Sequence, residues 1–250
     1  MNHSIFYSED RSILFHTVGD GNNLYLCTPF YPFNTKYFIN LFQNIKSESI
    51  TFIIPELPSN SSKFKKSVLF NTLSETIMNS ISFDKYSTVN TIGFGIFANL
   101  SLHITSILIE KISSVLMIEP DFTNIVLDSI FIKGKKRFFV SPENILKYYI
   151  GKSNHEKFTT LVVKPNPSAL YNYNKSSKDH GIKELILKRT LETDINFTVL
   201  WSAMSAESWP LAQVFEENSV SLINPGEPVV KMIIHNDNKI LRIISNAITK

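Results

Sequence analysis

Cysteine is almost absent from this chain, which carries a single thiol, Cys27, among 250 residues. One cysteine cannot form an internal disulfide or supply a cysteine-based zinc site. The six histidines are scattered, and none has the spacing of HExxH or another metal-binding motif. The sequence therefore predicts no bound metal and no cofactor. We expect Cys27 to be a buried, inert thiol rather than a nucleophile.

The chain also has few glycines and a small net charge. The chain has 8 glycines, about half the usual proportion of roughly 7%, so few positions let the backbone approach a substrate closely. The formal net charge is +3, and the densest basic cluster is KGKKR at 133–137. Nucleic-acid-binding proteins combine a basic stripe with a reading motif. Because the sequence has no such motif, we expect a solvated loop here and no nucleic-acid partner.

Charged residues are missing from 91–109, a stretch long enough to span a bilayer. Polar residues such as Asn99, Ser101 and His103 interrupt it, and two glycines fall at its start. We therefore expect no stable membrane span. The first residues, MNHSIFYSEDRS, lack a charged segment followed by an apolar one, so no cleaved signal peptide is expected. With a single cysteine, this favours a cytoplasmic location, and export by a signal-independent route stays open.

Hydrophobic residues make up 43% of the chain, and their order predicts alternating strands and helices. Three short strands are expected in SIFYSED, SILFHTV and NLYLC, with a turn at GDGNN. Asn34 is positioned to cap a helix over TKYFINLFQNI. SITFIIPEL is a continuous apolar run, which is typical of a parallel strand buried on both faces. Further elements are predicted as a helix over 64–81, a strand over 88–93, a helix over about 96–112 and a strand over 114–118.

The alternation is lost between residues 121 and 190, where helices are predicted at 122–131, 142–150 and 181–193. It resumes with a strand in INFTVLWSA, a helix in WPLAQVFEEN, a strand in VSLIN and a last helix over about 237–248. Repeated strand–helix alternation predicts an α/β protein with a mainly parallel sheet and helices on both faces.

The segment VNTIGFGIFANLSLHI, at 89–104, carries the most specific pattern. It begins as a buried strand, tightens at Gly93 and Gly95, and continues as a helix. This is the outline of a nucleophile elbow, G-x-S-x-G. Glycine stands where that motif has serine, and Phe97 replaces its last glycine.

The order of elements around this segment resembles the α/β-hydrolase superfamily. ILFHTVGDGNNLYLCTPFYP is similar to its strand, turn, strand and oxyanion loop, and ITFIIPELPSNS to the next strand. VLMIEPDF is similar to the strand before the cap, and FTVLWSAMSAESWPLAQVF to the strand and loop that carry the acid. The resemblance implies a core over 1–120 and 191–250 and a helical cap insertion over 121–190.

The resemblance also implies positions for a catalytic triad, and this chain departs from the pattern at each of them. The nucleophile position is Gly95, and the acid position is Ser205, with Glu207 two residues further on. The loop expected to hold the histidine reads PGEPVVKMII, and the nearest histidine is His235. The oxyanion loop, H-G-x in the family, reads Thr-Pro-Phe at 28–30. Acyl-enzyme chemistry at Gly95 is impossible because glycine has no side chain to attack with.

Other residues offer fallback catalytic roles. In one alternative, His235 acts as a base together with Glu207 or Asp121. In the other, neither residue is catalytic: His235 is a surface histidine, and Asp121 caps a helix. Glu119 and Asp121 follow the strand after the elbow, where some family members place their acid. Ser101 lies within the helix after the elbow, where it is expected to face a neighbour or bond the backbone, and His103 is expected to pack in the core.

Aromatic residues cluster in the loops and turns around the mouth of the predicted sheet. Two interpretations stay open: they line a pocket for a small apolar ligand, or they fill the former pocket as core. The candidate pocket residues are Phe30, Tyr31, Phe94, Gly95, Ile96, Phe97, Trp201 and Trp209, with Phe33 nearby.

The leading hypothesis is a catalytically inactive α/β-hydrolase-like protein that binds a protein partner or a small apolar ligand. The alternative is a diverged hydrolase, esterase- or thioesterase-like, with a non-standard set of catalytic residues. A third possibility is a purely structural or secreted accessory factor, with a pocket filled by Phe94 and Phe97 and an apolar patch on the outside. The sequence leaves the oligomeric state open.

Overall fold

One sheet of eight strands organises the part of the chain that the structure describes. The structure is a computed structural model, and the described residues are 1–29, 34–45, 47–57, 69–120, 190, 192–201, 215, 217–226, 229, 232 and 237–248. At residues 69, 96 and 237 the description covers the backbone alone. The strands are β1 (His3–Tyr7), β2 (Leu14–Val18), β3 (Asn23–Thr28), β4 (Ile50–Glu56), β5 (Thr88–Phe94), β6 (Ile112–Ile118), β7 (Asn196–Leu200) and β8 (Ser221–Ile223).

The strand order across the sheet is β1-β2-β4-β3-β5-β6-β7-β8. Strand β2 is antiparallel to both of its neighbours, β1 and β4. The pairs from β4 through β3, β5, β6 and β7 to β8 are all parallel. The mainly parallel α/β sheet predicted from the sequence is confirmed.

Helices cover both faces of the sheet, as the sequence predicts. Along β3, Leu24 and Leu26 join one buried cluster, whereas Tyr25 and Cys27 join the other, because successive side chains of a strand point to opposite faces. Helices α2 (Leu69–Ser80) and α3 (Ala98–Ile107) pack in the first cluster. Helices α1 (Thr35–Gln43) and α4 (Asp237–Ile248) pack in the second.

Helix α1 begins where its capping residue predicts. The side-chain oxygen of Asn34 accepts a hydrogen bond from the Lys36 backbone N–H at 2.9 Å, which satisfies one donor that the first turn leaves unpaired. The apolar residues Tyr37, Phe38, Leu41 and Phe42 are buried against the sheet. The predicted capping residue and start of this helix are therefore confirmed.

The helix predicted over about 96–112 begins near the predicted residue, but the prediction is wrong at its end. Its first turn, Gly95–Phe97, is a 3-10 helix, and α3 ends at Ile107. The Leu108 carbonyl accepts from the Lys111 and Ile112 backbone N–H groups at 2.8 and 3.1 Å, which closes a turn. Ile112 then pairs with Val89 in the sheet. Burial of a β-branched residue in a parallel ladder thus outweighs continuation of the helix.

The proposed cap, 121–190, lies outside the described residues except for Thr190, which is helical and buried. Its predicted helices at 122–131 and 142–150, and the start of the helix predicted over 64–81, also lie outside. The division into core and cap stays a prediction. Among the described residues, no helix is long and apolar enough to cross a membrane.

Candidate functional site

A tight turn joins β5 to α3 at Gly95. Strand β5 ends at Phe94, Gly95 has a φ of +56°, and α3 begins at Ala98. A positive φ of this size lies in the left-handed region, where a Cβ is strained and glycine is not. The strand, sharp turn and helix have the backbone layout of the elbow that the sequence predicts.

Gly93 brings α3 directly onto β5. A Cβ at this position would lie 2.5 Å from the Ala98 Cα and 2.7 Å from the Ser101 Cβ. Both distances are far inside van der Waals contact, so only glycine allows the helix to lie this close to the strand. The two glycines of the turn therefore have different purposes: Gly93 provides space, and Gly95 provides backbone conformation.

Thr28 ties the end of β3 to the same turn. It pairs with Gly93 in the parallel register, and its side chain is fully buried. Its hydroxyl donates a hydrogen bond to the Phe97 carbonyl at 2.8 Å. Sequence reasoning noted Thr28 as the first residue of the oxyanion loop but missed this bond, because its partner is 69 residues away.

We expect Thr28→Val to lower the free energy of unfolding by about 1–2 kcal/mol, because it removes the donor to a buried carbonyl while keeping the side-chain shape. Urea unfolding measures this cost, and amide exchange at Ala98 should become faster. Thr51→Val is the matched control, since the buried Thr51 hydroxyl donates to the Gly21 carbonyl at 2.7 Å. It should cost a similar amount and leave exchange at Ala98 unchanged; equal exchange in both variants would contradict the role of Thr28.

Cys27 lies just before Thr28 and is fully buried. Burial raises its thiol pKa well above the usual value, because a thiolate is poorly solvated in the core. Its sulfur faces the Tyr25 carbonyl at 3.5 Å. The protonated thiol is a poor nucleophile, and this agrees with the inert role expected for it.

The described aromatic residues of the predicted pocket belong to the core. Phe94 is 1% exposed and meets Phe38 of α1 with ring centroids 4.9 Å apart. On the opposite face of the sheet, Phe97 is 0% exposed and lies 6.1 Å from the Phe70 ring of α2. Their assignment to a ligand pocket stays a prediction.

Trp201, directly after β7, is also buried, and its ring lies 6.3 Å from that of Phe215. The Ile96 side chain, Phe30, Tyr31, Phe33 and Trp209 lie outside what the structure describes. Their assignment to a ligand pocket stays a prediction.

A carboxylate lies at the end of β6, beside the segment that follows β8. Glu119 has a φ of +48°, an uncommon backbone conformation for a residue with a Cβ. Its backbone N–H donates to the Leu200 carbonyl at 2.8 Å, and its Oε1 accepts from the Val229 backbone N–H at 3.1 Å. Val229 belongs to the segment in which the resemblance places the catalytic histidine. Glu119 thus links two loops at the carboxyl ends of the parallel strands.

The remaining candidates are distributed as follows. Ser101 is buried on α3 with its Cβ beside Gly93, so it lies under the turn. His103 is half-buried on the same helix. The fallback residues Asp121, Glu207 and His235, together with Ser205 at the acid position, lie outside the described residues. The structure therefore brings together Thr28, Gly93, Gly95 and Phe97, and it leaves the triad positions after β7 and β8 as predictions.

Solved structures of hydrolases are similar to this chain over its whole length, although no protein-family model and no curated protein matches its sequence. A carboxylesterase of the ammonia-oxidizing thaumarchaeon Nitrososphaera gargenis superposes with a TM-score of 0.70 at 13% identity, covering 98% of each chain. The thioesterase domain of the curacin biosynthetic pathway gives 0.62 at 11% identity, covering 98% of this chain and 99% of that domain. A lipase-esterase related protein of Clostridium acetobutylicum gives 0.63 at 12% identity, covering 94% and 98%.

These similarities extend over the parallel sheet and its helices, and at 10–13% identity they carry information on the fold rather than on the chemistry. Together with the strand order and the turn at Gly95, they show that the chain has the α/β-hydrolase fold.

Proposed function

We propose that this protein binds its target without hydrolysing it. The observation that carries the proposal is Gly95, which occupies the left-handed turn between β5 and α3. Serine hydrolases of this fold raise their nucleophilic oxygen at such a turn. Glycine keeps the backbone of the turn and has no atom to form an acyl-enzyme.

The packing around the turn supports the same proposal. Phe94 and Phe97 flank Gly95 and Ile96, and both rings are buried among helices on opposite faces of the sheet. Rings packed in this way fill space that a substrate pocket would otherwise use. The filled core favours a protein partner held at the molecular surface over a small apolar ligand beneath the turn.

The test restores the missing nucleophile. We expect Gly95→Ser to show no turnover of short- or long-chain acyl esters above the background of the unmodified protein, because a serine without a base and an orienting acid is a weak nucleophile. Gly226→Ser is the matched control, since Gly226 also has a positive φ and lies on the surface. Ester turnover in Gly95→Ser alone would show an intact base and acid and would contradict the proposal.

The class of target is tested on the purified full-length protein by native mass spectrometry. A bound apolar molecule would add its mass to the chain and would be lost on extraction with organic solvent. We expect the mass of the chain alone, which agrees with a protein partner. A reproducible extractable ligand would instead favour the pocket interpretation.

A diverged hydrolase is the second candidate, and Glu119 favours it. Its carboxylate lies at the carboxyl ends of the strands and contacts the segment after β8 through the Val229 N–H. In this alternative, His235 acts as base with Glu207 or Asp121. Ester turnover by the unmodified protein that is lost in His235→Gln would support this candidate over the binding function.

A further inference from the structure

Two histidines meet on the outer antiparallel strands, far from the turn at Gly95 in the strand order. His3 lies on β1 and His16 on β2, and the register pairs Ile5 with His16 and His3 with Val18. The two histidines are therefore diagonal neighbours on one face of the sheet. Their facing nitrogens, His3 Nε2 and His16 Nδ1, are 3.2 Å apart. The ring planes are within 16° of parallel, with centroids 5.4 Å apart, so the rings approach through their nitrogens.

A carboxylate on the next strand orients His16. The other ring nitrogen, His16 Nε2, lies 3.2 Å from Glu56 Oε2 on β4. A carboxylate can only accept a hydrogen bond, so this contact places the proton of the His16 ring on Nε2. With that proton held at Nε2, His16 Nδ1 carries its lone pair towards His3. A carboxylate that fixes the tautomer of a histidine in this way is the usual outer partner of a metal-binding imidazole.

We propose that His3 Nε2 and His16 Nδ1 form a binding site for Zn²⁺ or a divalent transition metal of similar chemistry. Two nitrogens that bind one tetrahedral zinc at about 2.05 Å lie about 3.3 Å apart, close to the 3.2 Å found here. On binding, the cation takes the place of the proton on His3 Nε2. That proton goes to solvent while His3 Nδ1 takes one up, so the ring stays a neutral imidazole, and both rings turn so that their lone pairs meet at the metal.

The site has two protein ligands and open positions filled by water. Among the described residues, no group of three or more His, Cys, Asp or Glu side chains is placed to hold a metal. The affinity is therefore weaker than that of structural zinc sites with four ligands. The sequence does not predict this contact, because 13 residues separate the two histidines and only the pairing of β1 with β2 brings them together.

Calorimetric titration of the full-length protein, purified without a histidine tag, with ZnCl₂ tests the proposal. We expect one Zn²⁺ per chain and loss of this binding in both His3→Gln and His16→Gln. Glu56→Gln should bind about tenfold more weakly, because it removes the orienting carboxylate. Glu48→Gln, an exposed carboxylate outside the cluster, should bind as the unmodified protein does.

Co²⁺, added in place of Zn²⁺, gives a second readout, because Co²⁺ bound to the two histidines absorbs visible light differently from Co²⁺ in water. This absorption should appear in the unmodified protein and vanish in His3→Gln. His3 is exposed, so this variant should fold normally, and circular dichroism checks this. No zinc binding, or equal binding by the unmodified protein and the His3→Gln/His16→Gln double variant, would overturn the proposal.

Discussion

Phe97→Ala should lower the free energy of unfolding by about 3–5 kcal/mol. The Phe97 ring is fully buried at the turn and lies beside the Phe70 ring of α2 in one hydrophobic cluster. Truncation removes its apolar contacts and leaves a cavity that the surrounding sheet and helices refill only partly. A ring that merely lined an open pocket would cost much less, because its loss would enlarge space already present.

Urea unfolding of Phe97→Ala, compared with Tyr7→Ala, measures this difference. Tyr7 is an aromatic residue of β1 with 57% of its surface exposed, so its truncation should change stability by at most about 0.5 kcal/mol. An apolar cavity of the size of a phenyl ring also binds benzene. Benzene should therefore raise the melting temperature of Phe97→Ala and leave that of the unmodified protein unchanged. A small cost for Phe97→Ala, with benzene stabilising the unmodified protein, would show an open pocket at the turn.

Periodicity along the chain was sufficient to predict most of the described sheet and its helices. The apolar run over Ile50–Glu56 predicted a strand buried on both faces. In the structure, helices cover both faces of this strand. The last helix, Asp237–Ile248, has the bounds that its apolar spacing predicts. Asn34 marked a helix start through its own side chain. Each of these signals depends on neighbours in sequence, which is why it can be recognised from the chain alone.

The contacts that assemble the candidate site depend instead on distant residues. The Thr28 hydroxyl meets the Phe97 carbonyl across 69 positions, and Glu119 meets Val229 across 110. Neither pair has a local pattern, because both follow from the order of strands in the sheet. The error at Ile112 has a similar origin: a local helical pattern gave way to pairing with Val89. Sequence reasoning therefore located the turn at Gly95 and missed what holds it in place.

The second large effect is expected at Gly93, whose substitution by alanine should destabilise the protein by about 1–3 kcal/mol or more through overpacking. The new Cβ would meet the Ala98 Cα at 2.5 Å and the Ser101 Cβ at 2.7 Å. Backbone atoms cannot turn away as a flexible side chain does, so α3 has to move off β5. Gly93 is not among the glycines with a positive φ, so the cost arises from contact rather than from backbone strain.

Gly226→Ala separates these two causes. Gly226 has a φ of +81° and nothing within 4 Å of an added Cβ, so its substitution should cost about 1–2 kcal/mol of backbone strain alone. In Gly93→Ala, adding Ser101→Gly relieves one of the two clashes, and the double variant should be more stable than the sum of the single costs predicts. Strict additivity in chemical denaturation would show that α3 does not rest on Gly93. Favourable coupling between Gly93→Ala and Ser101→Gly would show that α3 rests directly on β5 at Gly93. Because the turn of this chain has no nucleophile, this close packing would then be needed for the fold irrespective of catalysis.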